Sequence, residues 1–480
     1  MDESDVYSRE ALEAHRAGEI FIHHVDEAGI GYSTGIDVGE LQEAQGRVRT
    51  LSEYLHNVVE AAKKLEGEWA HRVTLHGLDL GTREWLDGKR GGEAAAAVGD
   101  FVSELNRLRF NVSLSLNEEN RSYGFSRVLA DEFEAHAAQG RMAPAIVYNV
   151  TDDTDLAEEP HRRYVSYAYR YGNVEFVGTL RELGGQSLTG YVLGDPRNGG
   201  RLGVVTLNLP RIGYEARNED DFYSRLGALT QLTVEALEQK RRAVEESIED
   251  GRMPYTAELQ GSLGGHHSAI AVAGLNEALV NLIDAGVGHV AGKAVTYKVL
   301  EFLRDQVAEA KETHRHPYSL EAYPSAEAGA FFADEDRRLH SDAFTQGEAV
   351  PYYTAASELP PNHGDDLWQA LEHQKRLQII YSGGTMLEVH LRSGIPYRDE
   401  CGLLVKRIMQ QGFADVKVSP VFSLCPVHGY IYGEVEVCPT CGQDARVYVW
   451  VDGQAHPLDT LNEGLKEAHR QRVFHDVKAM

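Results

Sequence analysis

Four residues near the end of the chain, Cys425-x-x-His428 and Cys438-x-x-Cys441, constrain the fold more than any other stretch. The two pairs are separated by nine residues, and each is followed at once by glycine, Gly429 or Gly442. Two such knuckles place soft and borderline donors at the tips of tight turns and can close a tetrahedral site, so SLCPVHGYIYGEVEVCPTCGQ reads as a zinc ribbon with Cys425, His428, Cys438 and Cys441 as Zn²⁺ ligands. Three of the chain's four cysteines fall here at ligand spacing, which also argues for a reducing compartment.

A chain of 480 residues can bury a large core, and its 42% hydrophobic and 25% charged residues are ordinary for a globular protein. The net charge of −27 argues against nucleic acid or an anionic membrane surface as a partner, because phosphate binding draws on clustered Lys and Arg. The acidic opening MDESDVYSREALEAHRAGEIF carries no signal peptide, and no apolar run reaches the ~18 residues of a membrane span. A cytoplasmic protein is expected.

Periodicity predicts an amphipathic helix over 5–20, a Gly-rich turn at AGIGYSTG after His23 and His24, and a helix over 38–65, so that helices dominate the first hundred residues. Two helical stretches flank NVSLSLN, and AIVYNV (145–150) reads as a buried strand. YVSYAYRYGNVEFVGTL alternates aromatic and small residues and also reads as strand. A Gly-rich loop at 184–200 leads into a strand over 202–207, which ends in Asn208-Leu209-Pro210-Arg211. Long helices are expected at 219–248, 275–286 and 293–311. The stretch 313–340 reads as irregular, with His314, His316, Asp334, Glu335 and Asp336 in solvent. DDLWQALEHQKRLQII reads as a helix running into the strand-like YSGGTMLEVHL, and CGLLVKRIMQQG as a helix holding a structural Cys401. Strands alternating with helices favour an α/β barrel or open sheet.

Several collinear stretches resemble the anaerobic, glycyl radical ribonucleoside-triphosphate reductases. LGVVTLNLPRIGYEA (202–216) is similar to that family's signature strand, YYTAASELPPNHGDDLWQALEHQKRLQIIYSGGT (352–385) to its helix and GGT turn, and SPVFSLCPVHGYIYGE with CPTCG to its zinc region. VYVWVDGQAHPLDTLNEGLKEAHRQR (447–472) is similar to its radical segment. The resemblance implies a ten-stranded α/β barrel over 1–418, a zinc ribbon over 419–445, and a radical loop and tail over 446–480. It places the radical on Gly453, generated by a radical-SAM iron–sulfur activase. It further implies binding of ribonucleoside triphosphates, a homodimer, and a role in deoxyribonucleotide synthesis. Substrate contacts would come from Asn208, from Ser357, and from the turn Gly383-Gly384-Thr385, whose backbone N–H groups suit phosphate.

The chain departs from that family in one chemical respect: it has no cysteine between residues 1 and 400. The loop that carries the family's thiyl cysteine reads Gly184-Gly185-Gln186-Ser187, and a second cysteine position is Ser33. A serine O–H bond is far stronger than a thiol S–H, so neither serine can usefully take spin from a glycyl radical. The family's N-terminal ATP cone has no counterpart before the barrel-like match, so activity control by ATP and dATP is not expected. Two other readings follow: a paralogue that binds nucleotides or regulates without reducing them, and a different glycyl radical reaction.

Overall fold

The computed structural model describes residues 1–39, 48–86, 92–108, 111–116, 124–141, 144–151, 154–179, 199–364, 366–383, 385–391, 398–413 and 415–475. Eleven strands form the main sheet: β1 (Ile20–Ile22), β2 (Gly31–Asp37), β3 (Trp69–His76), β4 (Asn111–Leu116), β5 (Ala145–Thr151), β6 (Val174–Thr179), β7 (Gly200–Asn208), β8 (His266–Ala273), β9 (Tyr318–Glu321), β10 (Leu387–Leu391) and β11 (Asp415–Pro420). Strands β2 to β6 run parallel in sequence order, as do β7 to β9, and β10 is parallel to β11. The two halves meet antiparallel at β2 with β7 and at β6 with β11. The turn before β10 closes the ring: Gly383 N–H donates to the Leu320 carbonyl on β9 at 2.9 Å.

Each half carries its own apolar outer layer. Helices Leu51–Leu65, Gly92–Leu105, Gly124–Ala138, His161–Tyr171 and Arg398–Gln410 cover β3 to β6 in one cluster, and Cys401 is buried there. Helices Glu219–Glu249, Leu275–Ile283 and Val290–His314 cover β7 to β9 in a second. Parallel strands covered outside and packed inside read as continuous apolar runs, and every residue of β7 is buried.

Several expectations give way. The helix over 5–20 is two helices, Glu3–Val6 and Arg9–Arg16, because Ser8 caps the second by accepting from Ala11 N–H, and β1 follows. GYSTG is strand β2, held between β3 and β7. Of the helix expected over 38–65, Val38 and Gly39 are helical, residues 40–47 lie outside the described set, and a helix capped by the Thr50 side chain covers Leu51–Leu65. Strand β3 was not anticipated. YVSYAYRY is the helix His161–Tyr171: Tyr164, Tyr167, Ala168 and Tyr171 share a helical face, and Gly172 at φ 71° ends it before β6. The 313–340 stretch holds β9 and the helix Ala326–Leu339. Asp336 there is buried and accepts from Arg211 Nε at 2.6 Å, the opposite of a solvated carboxylate.

A separate four-stranded sheet follows, in the order β13 (Gly429–Tyr432), β12 (Phe422–Cys425), β14 (Arg446–Val451) and β15 (Gln454–Pro457). The ribbon and the segment holding Gly453 are therefore strands of one sheet, since β12 pairs with both β13 and β14. No described helix is long and apolar enough to cross a membrane.

Candidate functional site

The ribbon brings its four donors together. The ligand atoms of Cys425, His428, Cys438 and Cys441 all lie within 4.8 Å of one another. Individual separations are 3.6 Å (Cys425 Sγ to Cys441 Sγ), 3.6 Å (Cys438 Sγ to His428 Nδ1) and 3.8 Å (Cys425 Sγ to His428 Nδ1). A tetrahedron of Zn–S and Zn–N bonds has edges of about 3.5–3.8 Å, so the set fits zinc and excludes a disulfide. Gly429 and Gly442 have φ of 72° and 71°, the left-handed turn each knuckle needs. Backbone N–H groups then point at sulfur: Val427 and His428 donate to Cys425 Sγ, and those of Cys441 and Thr440 lower the Cys438 thiol to about 6. A thiolate is the form that ligates metal.

Twelve residues beyond the last donor, β14 and β15 are joined by a two-residue turn, Asp452-Gly453, with φ of 46° and 70°. Asp-Gly in such a turn is an ordinary hairpin and by itself explains the positive φ of Gly453. The turn does not explain where the tip goes. The Asp452 carboxylate accepts from the backbone N–H groups of Ser325 (3.2 Å) and Ala326 (3.0 Å), capping the helix Ala326–Leu339 from outside its own chain segment. Tyr323 donates its phenol hydrogen to the Asp452 carbonyl. Gln454 Nε2 lies 3.2 Å from His71 Nε2 on β3, and Trp450 donates to the Pro420 carbonyl at 3.0 Å with Lys417 Nζ 4.4 Å from its ring centre. The hairpin is thus pinned to the ends of β3, β9 and β11.

Gly453 packs against buried Tyr323 and Met386. A Cβ there would sit 2.9 Å from Met386 Cε and 3.4 Å from Tyr323 Oη, so both the space and the backbone select glycine. Burial raises the Asp452 carboxyl to about 6 against the N–H groups that favour its charge, and Glu388 adds to the rise.

Beside the tip lies a cavity of about 190 Å³ whose lining includes Tyr323, Ser357, Glu358, Thr385, Glu388 and His390. Removal from solvent pushes Glu358 up to about 7, with Arg472 opposing and Glu388 and Asp452 reinforcing. The expected phosphate contacts divide. Ser357 and Thr385 line this cavity, and Ser357 Oγ accepts from Tyr381 at 2.8 Å. The Gly383 N–H is committed to β9, which removes it as a phosphate donor, and Gly384 and Ser187 lie outside the described residues. Asn208 is 1% exposed: its Oδ1 caps the helix Leu209–Glu215 and its Nδ2 donates to the Gly18 carbonyl and the Asp336 carboxylate. Those contacts give it a structural task.

Sequence reasoning missed the charges inside the barrel. Arg201 on β7 pairs with Glu321 on β9 at 2.5 Å, both essentially inaccessible, and Arg72 on β3 lies 3.7 Å from Glu175 on β6. Asp415 and Lys417 on β11 join the second group, and burial lowers Lys417 to about 8. Charge inside an otherwise apolar strand, Arg201 in GRLGVVTLN or Asp415 and Lys417 in DVKVSP, was the available signal.

The profile of the family described as anaerobic ribonucleoside-triphosphate reductase matches residues 1–475. Among solved structures, an anaerobic ribonucleotide reductase superposes with a TM-score of 0.81 at 17% identity over 97% of this chain and 84% of that one. The Thermotoga maritima anaerobic ribonucleotide reductase in complex with dATP and CTP gives 0.76 at 16% identity, covering 96% and 86%. Hydroxyproline dehydratase from Clostridioides difficile gives 0.58 at 10% identity, covering 98% and 83%. Comparison with curated protein sequences gives no match. At such identities the structural likenesses establish the fold, two antiparallel half-barrels around a C-terminal hairpin, while the profile spans nearly every residue: the chain belongs to the anaerobic ribonucleoside-triphosphate reductase family.

Proposed function

We propose that this chain is a glycyl radical oxidoreductase that stores its radical at Gly453, with zinc in the ribbon fixing the hairpin that carries it. The observation behind this reading is the placement of the Asp452-Gly453 tip inside the barrel mouth, pinned by Tyr323 and by the helix N-terminus at Ala326. A radical on a glycine Cα is stabilised by the flanking amide and carbonyl and supplies a one-electron oxidant. The chain's own residues hold that Cα out of bulk water, keep the backbone left-handed and leave no room for a side chain. Loading requires a radical-SAM activase to reach Gly453, so the ribbon and hairpin move as one unit.

Ribonucleoside triphosphates are the substrate class proposed from family membership, and dATP and CTP in the T. maritima enzyme support it. The cavity beside the hairpin, about 190 Å³, is lined by carboxyl groups (Glu358, Glu388, Asp452) together with Arg472, His390 and His469, and its volume is small for a whole nucleoside triphosphate. Cysteine chemistry from this chain is not available there. Cys401 is fully buried in the outer apolar layer, its thiol pushed up to about 12, and the other three cysteines belong to the ribbon. The same fact favours the second reading, a paralogue that binds nucleotide without reducing it.

Anaerobic incubation with a radical-SAM activase decides between them. A glycyl EPR doublet, and oxygen-dependent cleavage at Gly453, are expected. Absence of both removes the radical reading and leaves the paralogue; a doublet with no deoxynucleotide product keeps the radical and removes ribonucleotide reduction.

A further inference from the structure

We infer that Tyr323 is the hydrogen-atom relay of this protein, its phenol serving the chemical role of a thiol; this rests on Gly453 being the radical store. A Cβ placed on Gly453, along the direction of one Cα hydrogen, would lie 2.9 Å from Met386 Cε, 3.2 Å from Met386 Sδ and 3.4 Å from Tyr323 Oη, so that hydrogen faces these two side chains. A thioether has no hydrogen on sulfur to give; a phenol has one on oxygen. The phenoxyl radical left behind is delocalised over the ring, so a tyrosine O–H bond is weak enough to exchange with a carbon-centred radical, like a thiol and unlike serine. Tyr323 is 7% exposed and packs on Met386, which excludes bulk water from the exchange. Its hydroxyl already donates to the Asp452 carbonyl, the amide adjoining Gly453, so donor and Cα are held by one hydrogen bond. On its other side Tyr323 lines the cavity that holds Glu358 and His390.

The step is a single hydrogen-atom transfer. The Tyr323 O–H bond breaks, a second Gly453 Cα–H bond forms, and the unpaired electron moves from carbon to the tyrosyl oxygen with no net charge transfer. The oxidant that first loads Gly453 is the deoxyadenosyl radical of the activase. The relay then exposes spin to whatever small molecule occupies the cavity.

Solvent exchange tests this without any substrate. A glycyl radical gives an EPR doublet because one Cα hydrogen remains. In D₂O the Tyr323 hydroxyl carries deuterium and returns it to Cα, giving a CHD group at Gly453. Each time the tyrosyl radical then takes back the protium, the radical carbon keeps deuterium, so over repeated exchanges the doublet of the activated wild-type protein should collapse toward a singlet, while that of Tyr323→Phe should persist. A wild-type doublet that persists in D₂O overturns the relay and leaves Gly453 as a radical store. Collapse in Tyr323→Phe at the wild-type rate assigns the exchange elsewhere and also overturns it. No doublet in the wild type sinks the relay together with the reading it rests on. If Tyr323→Phe fails to load, fluorotyrosine at 323 keeps the hydroxyl but changes its bond strength; a collapse rate unchanged from wild type then refutes the relay.

Discussion

The zinc ribbon and the barrel interior both gather polar groups, and they hold them by different means. In the ribbon, four donors from a 17-residue stretch converge within 4.8 Å, presented in pairs by two knuckles and fed by local N–H groups. In the barrel, Arg201 meets Glu321 and Arg72 meets Glu175 from strands that lie far apart in sequence, and all four side chains are buried. The ribbon is therefore a local, all-or-none module, whereas each interior charge depends on the whole ring being closed.

Disrupting the ribbon should have the largest effect and the most local one. Structural zinc contributes apparent binding energies of about 10–16 kcal/mol in small domains. Metal analysis should find about one zinc per chain, and Cys438→Ser should abolish it, release the hairpin to protease and leave the thermal transition of the barrel in place. If the barrel transition falls as well, the two regions are coupled more tightly than described. Glu321→Ala acts in the opposite sense. It removes the carboxylate that pairs with the buried Arg201 guanidinium and should lower global stability by about 3–5 kcal/mol, read by denaturant unfolding. Replacing both partners with apolar residues should recover much of that loss.

Smaller effects lie where the two regions touch. Gly453→Ala places a Cβ at φ 70° against Met386 and should weaken docking of the hairpin by about 1–2 kcal/mol, seen as faster amide exchange in 449–456. Asp452→Ala removes the carboxylate that caps the helix Ala326–Leu339, and a loss of about 1 kcal/mol is expected in the same measurement. The smallest effect is that of pH. Asp452 and Glu358 have docked values of about 6 and about 7, above the usual carboxyl range. Their contribution to docking is complete below about pH 4 and is lost as pH rises through 6 to 7. Exchange in the hairpin, corrected for its intrinsic rate, should quicken from pH 5 to pH 8. An unchanged protection would show that these carboxyls stay charged when docked.

Some of this was legible residue by residue. Cys425 to Cys441 declared themselves by spacing, because a knuckle is local chemistry. The helices Glu219–Glu249, Leu275–Ile283 and Val290–His314 declared themselves by apolar period. YVSYAYRY misled because aromatics suit strand and helix alike, and its packing against β6, β11 and the helices Gly124–Ala138 and Arg398–Gln410 selects the helical face. GYSTG misled because a glycine-rich strand carries no period; its place is set by β3 and β7 on either side. Asp336 looked solvated because nothing nearby in sequence pairs with it, and its partner Arg211 is 125 residues away.

By itself the sequence determined the spacing of the four candidate zinc donors and the absence of any cysteine before residue 401. Each of these is a matter of residue type and short spacing, where bond geometry alone decides the outcome. Only the tertiary structure decided that the hairpin tip enters the barrel mouth, that Asp452 caps a helix begun 126 residues earlier, and that Gly453 faces Tyr323 and Met386. Those contacts join segments with no local preference for one another; closure of the ring creates them by bringing the ends of β9, β10 and β11 to one place.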